Sequence, residues 1–454
     1  MKKKMMTKEQ GSFFTKNQVL EVACTDMNVN GYGVARVDGF VIFTKGLLLH
    51  EIAKVKLVKV FKRYAYAIIE ELLLLGKSRT TPICSVYPRC GGCNLMHMDY
   101  QHQLQFKQTS VQQQLDYHHV KHVKVNQTLG MTNPFAYRNK VICPVRVINS
   151  KLEIGFYRQH SHDIVVFDTC HVQSNLQNKI IESIKAFQHV PLFEIVKHIV
   201  LREVYEPSQI MLGLVTNQTS HPHLQEFLKV MINNHPEIKS IILNHNPHKT
   251  NTIFTSDNYV LFGQDHLIDH SLGLSFKLSL QSFFQVNTDM MQVLYQEALE
   301  AADIQPTDTV LDLYCGIGTL ALLASQQAKY VYGVELNPKA IADANDNAQN
   351  NKIENVKFIQ GDVKEAMSYF ETNDIECDVV IVDPPRAGLH EDIISSLKQL
   401  KAKRIIYVSC NPTTLGRDLK LFESHYKIEN VQPVDMFPQT YHVECVTLMS
   451  RIEE

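Results

Sequence analysis

TVLDLYCGIGTL, residues 309–320, reads as a short buried strand (Val310, Leu311) closed by Asp312, a glycine-bearing turn, and an apolar helix running on into Ala321, Leu322 and Leu323. Gly316 and Gly318 let the backbone approach a ligand where a Cβ would stand in the way. Two ligands use such a turn. Gly316-x-Gly318-x-x-Ala321 fits the relaxed dinucleotide fingerprint and admits a nicotinamide cofactor. An acid four residues before the first glycine is of no particular use to a pyrophosphate, but suits a cationic ligand such as S-adenosylmethionine.

Working outward, Tyr330–Glu335, Val356–Asp362, Asp378–Pro385 and Arg404–Cys410 are four further apolar runs, three of them ending in or containing an acid. Helical stretches (338–350, 392–399, 415–422) separate them. Strands alternating with helices, each strand almost continuously apolar, predict an α/β fold with a Rossmann-like doubly wound parallel sheet. Ligands sit beyond the carboxyl ends of such strands. Asp312, Glu335, Asp362, Asp383 and Cys410 all fall on that edge.

DLYCGIGT, VDPPRAGL, VSCNPTTLGRDL and MFPQTYHVECV, in this order between Leu278 and the end of the chain, resemble the successive motifs of the RNA 5-methyluridine (uracil-C5) methyltransferases. Arg386 follows Asp-Pro-Pro where amino-group methyltransferases usually carry an aromatic residue. The resemblance implies S-adenosylmethionine as methyl donor, with Cys410 as nucleophile and Glu444 as base. It places Gln285, Tyr314, Glu335 (ribose), Asp362 (adenine) and Asp383 around the donor, with a weaker contact from Thr319 and Phe283 beside the target base. The chemistry demands this set: uracil C5 becomes nucleophilic only after a thiolate adds to C6, and a base must then take the C5 proton.

Net charge is only −2, but it is unevenly divided. Residues 1–150 hold 21 Lys and Arg against 9 Asp and Glu, and residues 151–454 hold 24 against 38. A basic N-terminal part is the electrostatic footprint of a nucleic-acid binder, or simply a solvated face. The start, MKKKMMTKEQGSFF, is basic without the apolar core of a signal peptide, and no apolar run approaches the ~18 residues of a membrane span. The expectation is a cytoplasmic monomer without membrane or protein partner.

Residues 13–73 alternate strand-like runs with turns, including Asp38-Gly39, and fit a five-stranded barrel of the OB type. This segment resembles the TRAM domain of RNA-modifying enzymes, with Leu47-Leu48-Leu49-His50 in place of the usual Pro-Gly before Glu51. Residues 74–275 form a central domain and 276–454 the methyltransferase domain. Asp99–Tyr117 reads as a polar helix. Arg138, Lys140, Arg146 and Arg158 alternate with Tyr137, Phe156 and Tyr157, a pattern that suits single-stranded RNA or an ordinary amphipathic sheet. The histidines at 189, 198, 221, 223, 235, 245 and 248 lack metal spacing and read as surface residues.

Cys84-x5-Cys90-x2-Cys93 suggests metal rather than disulfides, and the spacing admits zinc or iron–sulfur. By resemblance, Cys170 is the fourth ligand of a [4Fe–4S] cluster, as in the 23S ribosomal RNA branch of the family. Cys24, Cys143, Cys377 and Cys445 read as core residues, Cys315 as a small filler. The sequence thus points to methylation of uridine C5 in RNA, with 23S rRNA as substrate. A tRNA-directed enzyme, a nicotinamide oxidoreductase and a non-catalytic RNA binder are the alternatives.

Overall fold

The computed structural model describes residues 14–120 and 122–452. The basic start and Phe13, where the expected barrel begins, lie outside them. The described residues divide into two compact units. The first holds residues up to Ile83 with Cys93–Phe106 and Gln439–Tyr441, and the second holds Cys84–Gly92, Lys107–Pro438 and His442 onward. The division falls inside helix α1 (Tyr100–Tyr117), so it does not follow chain order.

In the first unit, β1 (Val19–Ala23), β2 (Asp26–Met27), β3 (Tyr32–Val37), β4 (Phe40–Lys45), β5 (Ile52–Val60) and β6 (Tyr64–Leu74) form one sheet in the order β1-β5-β6-β4-β3-β2. The five expected strands are present, and β2 adds a two-residue edge. Asp38 and Gly39 both take positive φ in the β3–β4 hairpin, as its tight turn requires. Where the usual Pro-Gly turn is missing, Glu51 organises the loop instead. Its buried carboxylate accepts from Leu48 N–H (2.7 Å) and Gly76 N–H (3.2 Å) and pairs with Arg79. Burial alone would raise its pKa, but Arg79 and the two N–H donors hold it below the usual value.

In the second unit, the central sheet has the order β13-β12-β11-β10-β7-β8-β9, built from β7 (Lys140–Ile148), β8 (Lys151–Tyr157), β9 (Ile164–Val166), β10 (Val196–Tyr205), β11 (Ser208–Thr216), β12 (Ile238–His245) and β13 (Asn258–Gly263). Helices α2 (Asn175–Lys185) and α3 (Leu224–Asn234) carry buried residues such as Ile180, Ile184, Phe227 and Met231 into its core. A hairpin of β14 (His266–Ser271) and β15 (Leu274–Ser279) leads to α4 (Thr288–Ala302).

The second seven-stranded sheet comprises β16 (Thr309–Leu313), β17 (Tyr330–Glu335), β18 (Val356–Gln360), β19 (Val379–Val382), β20 (Arg404–Ser409), β21 (Tyr426–Val434) and β22 (Glu444–Arg451), in the order β18-β17-β16-β19-β20-β22-β21. The first five strands in that order and β21 all run in one direction, and β22, lying between β20 and β21, runs antiparallel to both. Helices α5 (Thr319–Ser325), α6 (Pro338–Asn350), α7 (Val363–Thr372), α8 (Glu391–Leu400) and α9 (Pro412–Phe422) connect them. This is the expected doubly wound α/β sheet.

Side chains alternate between its two faces. Val310, Val379, Ile381, Ile406, Val408 and Val446 join one core, and Leu311, Leu313, Val380, Val382, Ile405, Tyr407 and Cys445 the other. Counting on in steps of two puts Asp312, Glu335, Asp383, Cys410 and Glu444 all on the first face. Among the described residues, no helix is long and apolar enough to cross a membrane.

Candidate active site

The strand ends of this sheet open into a cavity of about 990 Å³. Gln285, Tyr314, Glu335, Asp383, Cys410 and Glu444 line it, together with Asp312, Cys315, Thr319 and Phe283. Asp362 is not among the lining residues. It is exposed and caps α7, accepting from Glu365 N–H at 2.9 Å while Glu365 reaches back to the Asp362 N–H, a complete capping box. Sequence reading missed Tyr295, His442, Phe437 and Lys339, which also line the cavity. His442 could have been found, since it stands two residues before Glu444.

The turn after β16 is shaped by backbone conformation. Tyr314, Gly316 and Gly318 all have positive φ, an uncommon state for Tyr314. A Cβ on Gly318 would lie 2.6 Å from the Phe358 ring, whereas one on Gly316 would meet nothing within 4 Å. Gly318 therefore serves helix packing, and Gly316 leaves open space facing the cavity. Glu335 is oriented by two backbone donors, Asn337 N–H (2.8 Å) and Gly316 N–H (3.3 Å).

The loop that carries Cys410 is tied to its neighbour. Asn411 caps α9, accepting from Thr413 N–H (3.1 Å), and its amide donates to the Arg386 carbonyl (2.9 Å). Pro412 fits the first helical turn, where no N–H is needed. Cys-Asn-Pro therefore fixes Cys410 against the Asp-Pro-Pro-Arg segment. The segment carrying Phe283 and Gln285 is held from behind. Asn139 donates to the Gln285 carbonyl (2.8 Å), Lys140 to the Leu280 carbonyl (2.9 Å), and the buried Arg202 to the Ser282 carbonyl. Burial lowers Lys140 to about 6 and Arg202 to about 10.

The cavity favours positive charge. Burial pushes Asp383 up to about 7. Burial, then the nearby Asp383, pushes Glu444 up to about 8, with Arg386 opposing. Burial, then Glu444 and Asp383, pushes the Cys410 thiol up to about 11, again against Arg386. Asp312 is fully buried and raised well above its ordinary value by burial and by Asp383, and its Oδ2 has no hydrogen-bond partner. A buried carboxylate oxygen without a partner, beside further acids and an open Gly316, fits a ligand that brings cationic groups.

The sequence matches the tRNA (Uracil-5-)-methyltransferase family over residues 99–452 and the TRAM domain over 14–69. The chain belongs to this family of S-adenosylmethionine-dependent RNA methyltransferases. It is 39% identical to an uncharacterized RNA methyltransferase of Halalkalibacterium halodurans, covering 98% of this chain and 99% of that one. It is 38% identical to another from Listeria innocua, covering 97% and 99%. Among solved structures, it resembles the tRNA (uracil-54, C5)-methyltransferase of Pyrococcus abyssi in complex with S-adenosyl-L-homocysteine. The TM-score is 0.74 at 26% identity, covering 94% of this chain and 99% of that one.

Elsewhere in the second unit, Cys84, Cys90 and Cys170 are free, half-buried thiols packed against the central core. Gly92 N–H points at Cys90 Sγ (3.4 Å), and Asn178 brackets the Cys170 backbone with bonds of 2.9 and 3.0 Å. Burial raises Cys90 and Cys170, while Arg138 acts on both in the opposite direction. Cys143 is buried, as expected, and within electrostatic reach of Cys170 and Cys90. Cys93 belongs to the first unit.

In the first unit, Tyr32, Phe43, Phe61, Tyr64 and Tyr66 form a continuous group of partly exposed rings with centroids 4.6–6.3 Å apart. Lys59 lies over the Phe61 ring, and Lys62 and Arg63 are exposed in the following turn. Sequence reading recognised the strands but not this face, whose rings come from four segments.

Proposed function

We propose that the protein methylates C5 of a uridine in 23S ribosomal RNA through a covalent adduct between Cys410 and C6. The observation that carries this reading is the placing of Cys410, Glu444 and Asp383 on one sheet face in one cavity. S-adenosylmethionine, when bound, supplies an electrophilic methyl group on a sulfonium. Asp312, Tyr314, Glu335, Gln285 and Asp383 would hold it, and their negative charge suits its cationic centres.

Cys410, as thiolate, adds its sulfur to C6, which moves electron density to C5 and O4. C5 then takes the methyl group. Glu444, as carboxylate, removes the remaining C5 proton, and the electrons of that C–H bond restore the C5–C6 double bond as sulfur leaves. Burial holds both groups toward their protonated forms, and Arg386 and bound cationic charge favour the ionised ones. A base within folded RNA must flip out to reach them, at a cost of a few kcal/mol.

The iron–sulfur assignment belongs to the same proposal. Cys84, Cys90 and Cys170, with an N–H donor at sulfur and Arg138 as counter-charge, fit thiolate ligation of a [4Fe–4S] cluster. Cys93 completes the set on sequence spacing alone. Together with the TRAM match, the cysteine set supports the ribosomal substrate over tRNA. The likeness to the Pyrococcus abyssi enzyme favours tRNA as the second reading.

The experiment that tests the reaction uses RNA with 5-fluorouridine at the target position. Fluorine cannot leave as a cation, so a methylated protein–RNA adduct should survive denaturing gels and vanish in Cys410→Ala. An adduct that persists in Cys410→Ala would move the nucleophile elsewhere. Incubation with 23S rRNA or tRNA fragments, followed by mapping of 5-methyluridine, separates the two substrates.

A further inference from the structure

The histidines read as scattered surface residues are not all so. His235 is buried and bonded to Ser183 Oγ (2.8 Å), and three other side chains come together at one corner of the central domain. His189 stands just before the short turn Val190–Glu194, His223 just before α3, and Glu226 three residues further along α3. The two imidazole rings stack with centroids 3.9 Å apart and planes 4° from parallel. Both turn a nitrogen toward one carboxylate. His189 Nε2 lies 3.1 Å and His223 Nδ1 3.6 Å from Glu226 Oε2. One ligand atom from each residue falls within 4.8 Å of the other two.

We propose that His189, His223 and Glu226 bind a divalent cation of the zinc class. Two imidazole nitrogens and a carboxylate oxygen are a donor set that such borderline cations favour, with a fourth position left for water. Each lone pair lies in its own ring plane, so the rings must turn well away from parallel for both nitrogens to meet one tetrahedral ion, at roughly 109° to each other. His221, with its ring 5.7 Å from that of His223, adds a further imidazole beside the group. Binding would staple the turn to α3, which already meet through Phe187, Phe193 and Phe227. The group shares no residue with the cavity, so the ion is structural and not part of methyl transfer.

The test is a Co²⁺ titration of the full-length protein under argon, read by visible and near-ultraviolet absorption. A site made of nitrogen and oxygen shows d–d bands without the thiolate-to-metal charge transfer that cysteine ligation gives. The expected result is one such component, unchanged in Cys170→Ser, with at least tenfold weaker binding in His223→Ala and in Glu226→Gln. Glu226→Gln keeps the side-chain volume, so it separates lost ligation from lost folding, which a metal-free thermal melt also monitors. Zn²⁺ should raise the wild-type melting temperature but not that of Glu226→Gln. Absence of a component free of thiolate charge transfer, or wild-type affinity in both variants, would overturn the proposal.

Discussion

Cys410 and Glu444 face each other across the junction of β20 and β22. Antiparallel pairing of Ser409 with Cys445 brings the next residue on one strand opposite the preceding residue on the other. The closeness is felt electrostatically, since Glu444 is among the causes that raise the Cys410 thiol. If one residue opens the reaction and the other closes it, their variants should fail differently. Cys410→Ala should abolish turnover and adduct alike. Glu444→Gln should reduce turnover by at least 10²-fold yet accumulate a methylated adduct on ordinary uridine. Gel shift under denaturing conditions with labelled methyl donor reads both, and an adduct-free Glu444→Gln would remove the base assignment.

The raised carboxyls make stability depend on pH. Folding lifts Glu444 from 4.5 to about 8 and Asp383 from 3.8 to about 7. Between those limits the folded state keeps protons that the unfolded chain has lost, so stability falls as pH rises through this window. The ligand-free melting temperature should drop from about pH 5 to about pH 8, and the drop should shrink in Glu444→Gln. S-adenosylmethionine should bind more tightly at the upper end, where its positive charge meets ionised carboxylates. Calorimetry at both ends measures this, and a pH-independent affinity would contradict it.

Strand parity explains why so much of the site is legible in the sequence. In a parallel sheet the residue just past each apolar run lies on a common edge, so Asp312, Glu335, Asp383 and Cys410 fall together by parity alone. Asp362 also stands at a strand end, where the D-x-x-E spacing with Glu365 makes it the cap of α7 as well, and its charge is felt at Tyr314, though it does not itself line the cavity. The left-handed φ of Tyr314 leaves no mark in composition. His189 and His223 are 34 positions apart on different elements, and only packing brings them together.

The cluster assignment has a direct readout. Protein purified without oxygen should be brown and carry about four iron atoms per chain. Cys170→Ser should lose the colour while S-adenosylmethionine binding persists, because none of these cysteines lines the cavity. One zinc per chain in colourless protein would replace the cluster with a zinc site.

The aromatic face of the first unit should contribute to RNA affinity by stacking, at roughly 1–3 kcal/mol per base. Phe43→Ala and Tyr66→Ala should weaken binding of single-stranded RNA without changing its salt dependence. Lys62→Ala with Arg63→Ala should instead flatten the salt slope, by about 0.7 for each phosphate that is no longer neutralised. Fluorescence anisotropy across a salt series separates the two. Unchanged slopes would mean that the basic turn is only solvated surface.

Lys107 and Asp435 form an ion pair with both side chains fully buried. Lys107 also donates to the Phe437 carbonyl (3.2 Å), while Asp435 accepts from the Phe437 N–H (3.2 Å). The pair thus anchors the start of the segment that carries Phe437, which lines the cavity. Burial lowers the Lys107 pKa, with Asp435 opposing. Removing one partner strands the other charge, so Lys107→Met should cost about 3–5 kcal/mol, whereas Lys107→Met with Asp435→Leu should recover much of that loss. Recovered stability need not restore activity, because the double variant still lacks both bonds to Phe437. Urea midpoints and methyl-transfer rates measured on the same three proteins distinguish these effects. A double variant as unstable as the single one would show that the pair's attraction contributes little and that the bonds to Phe437 dominate.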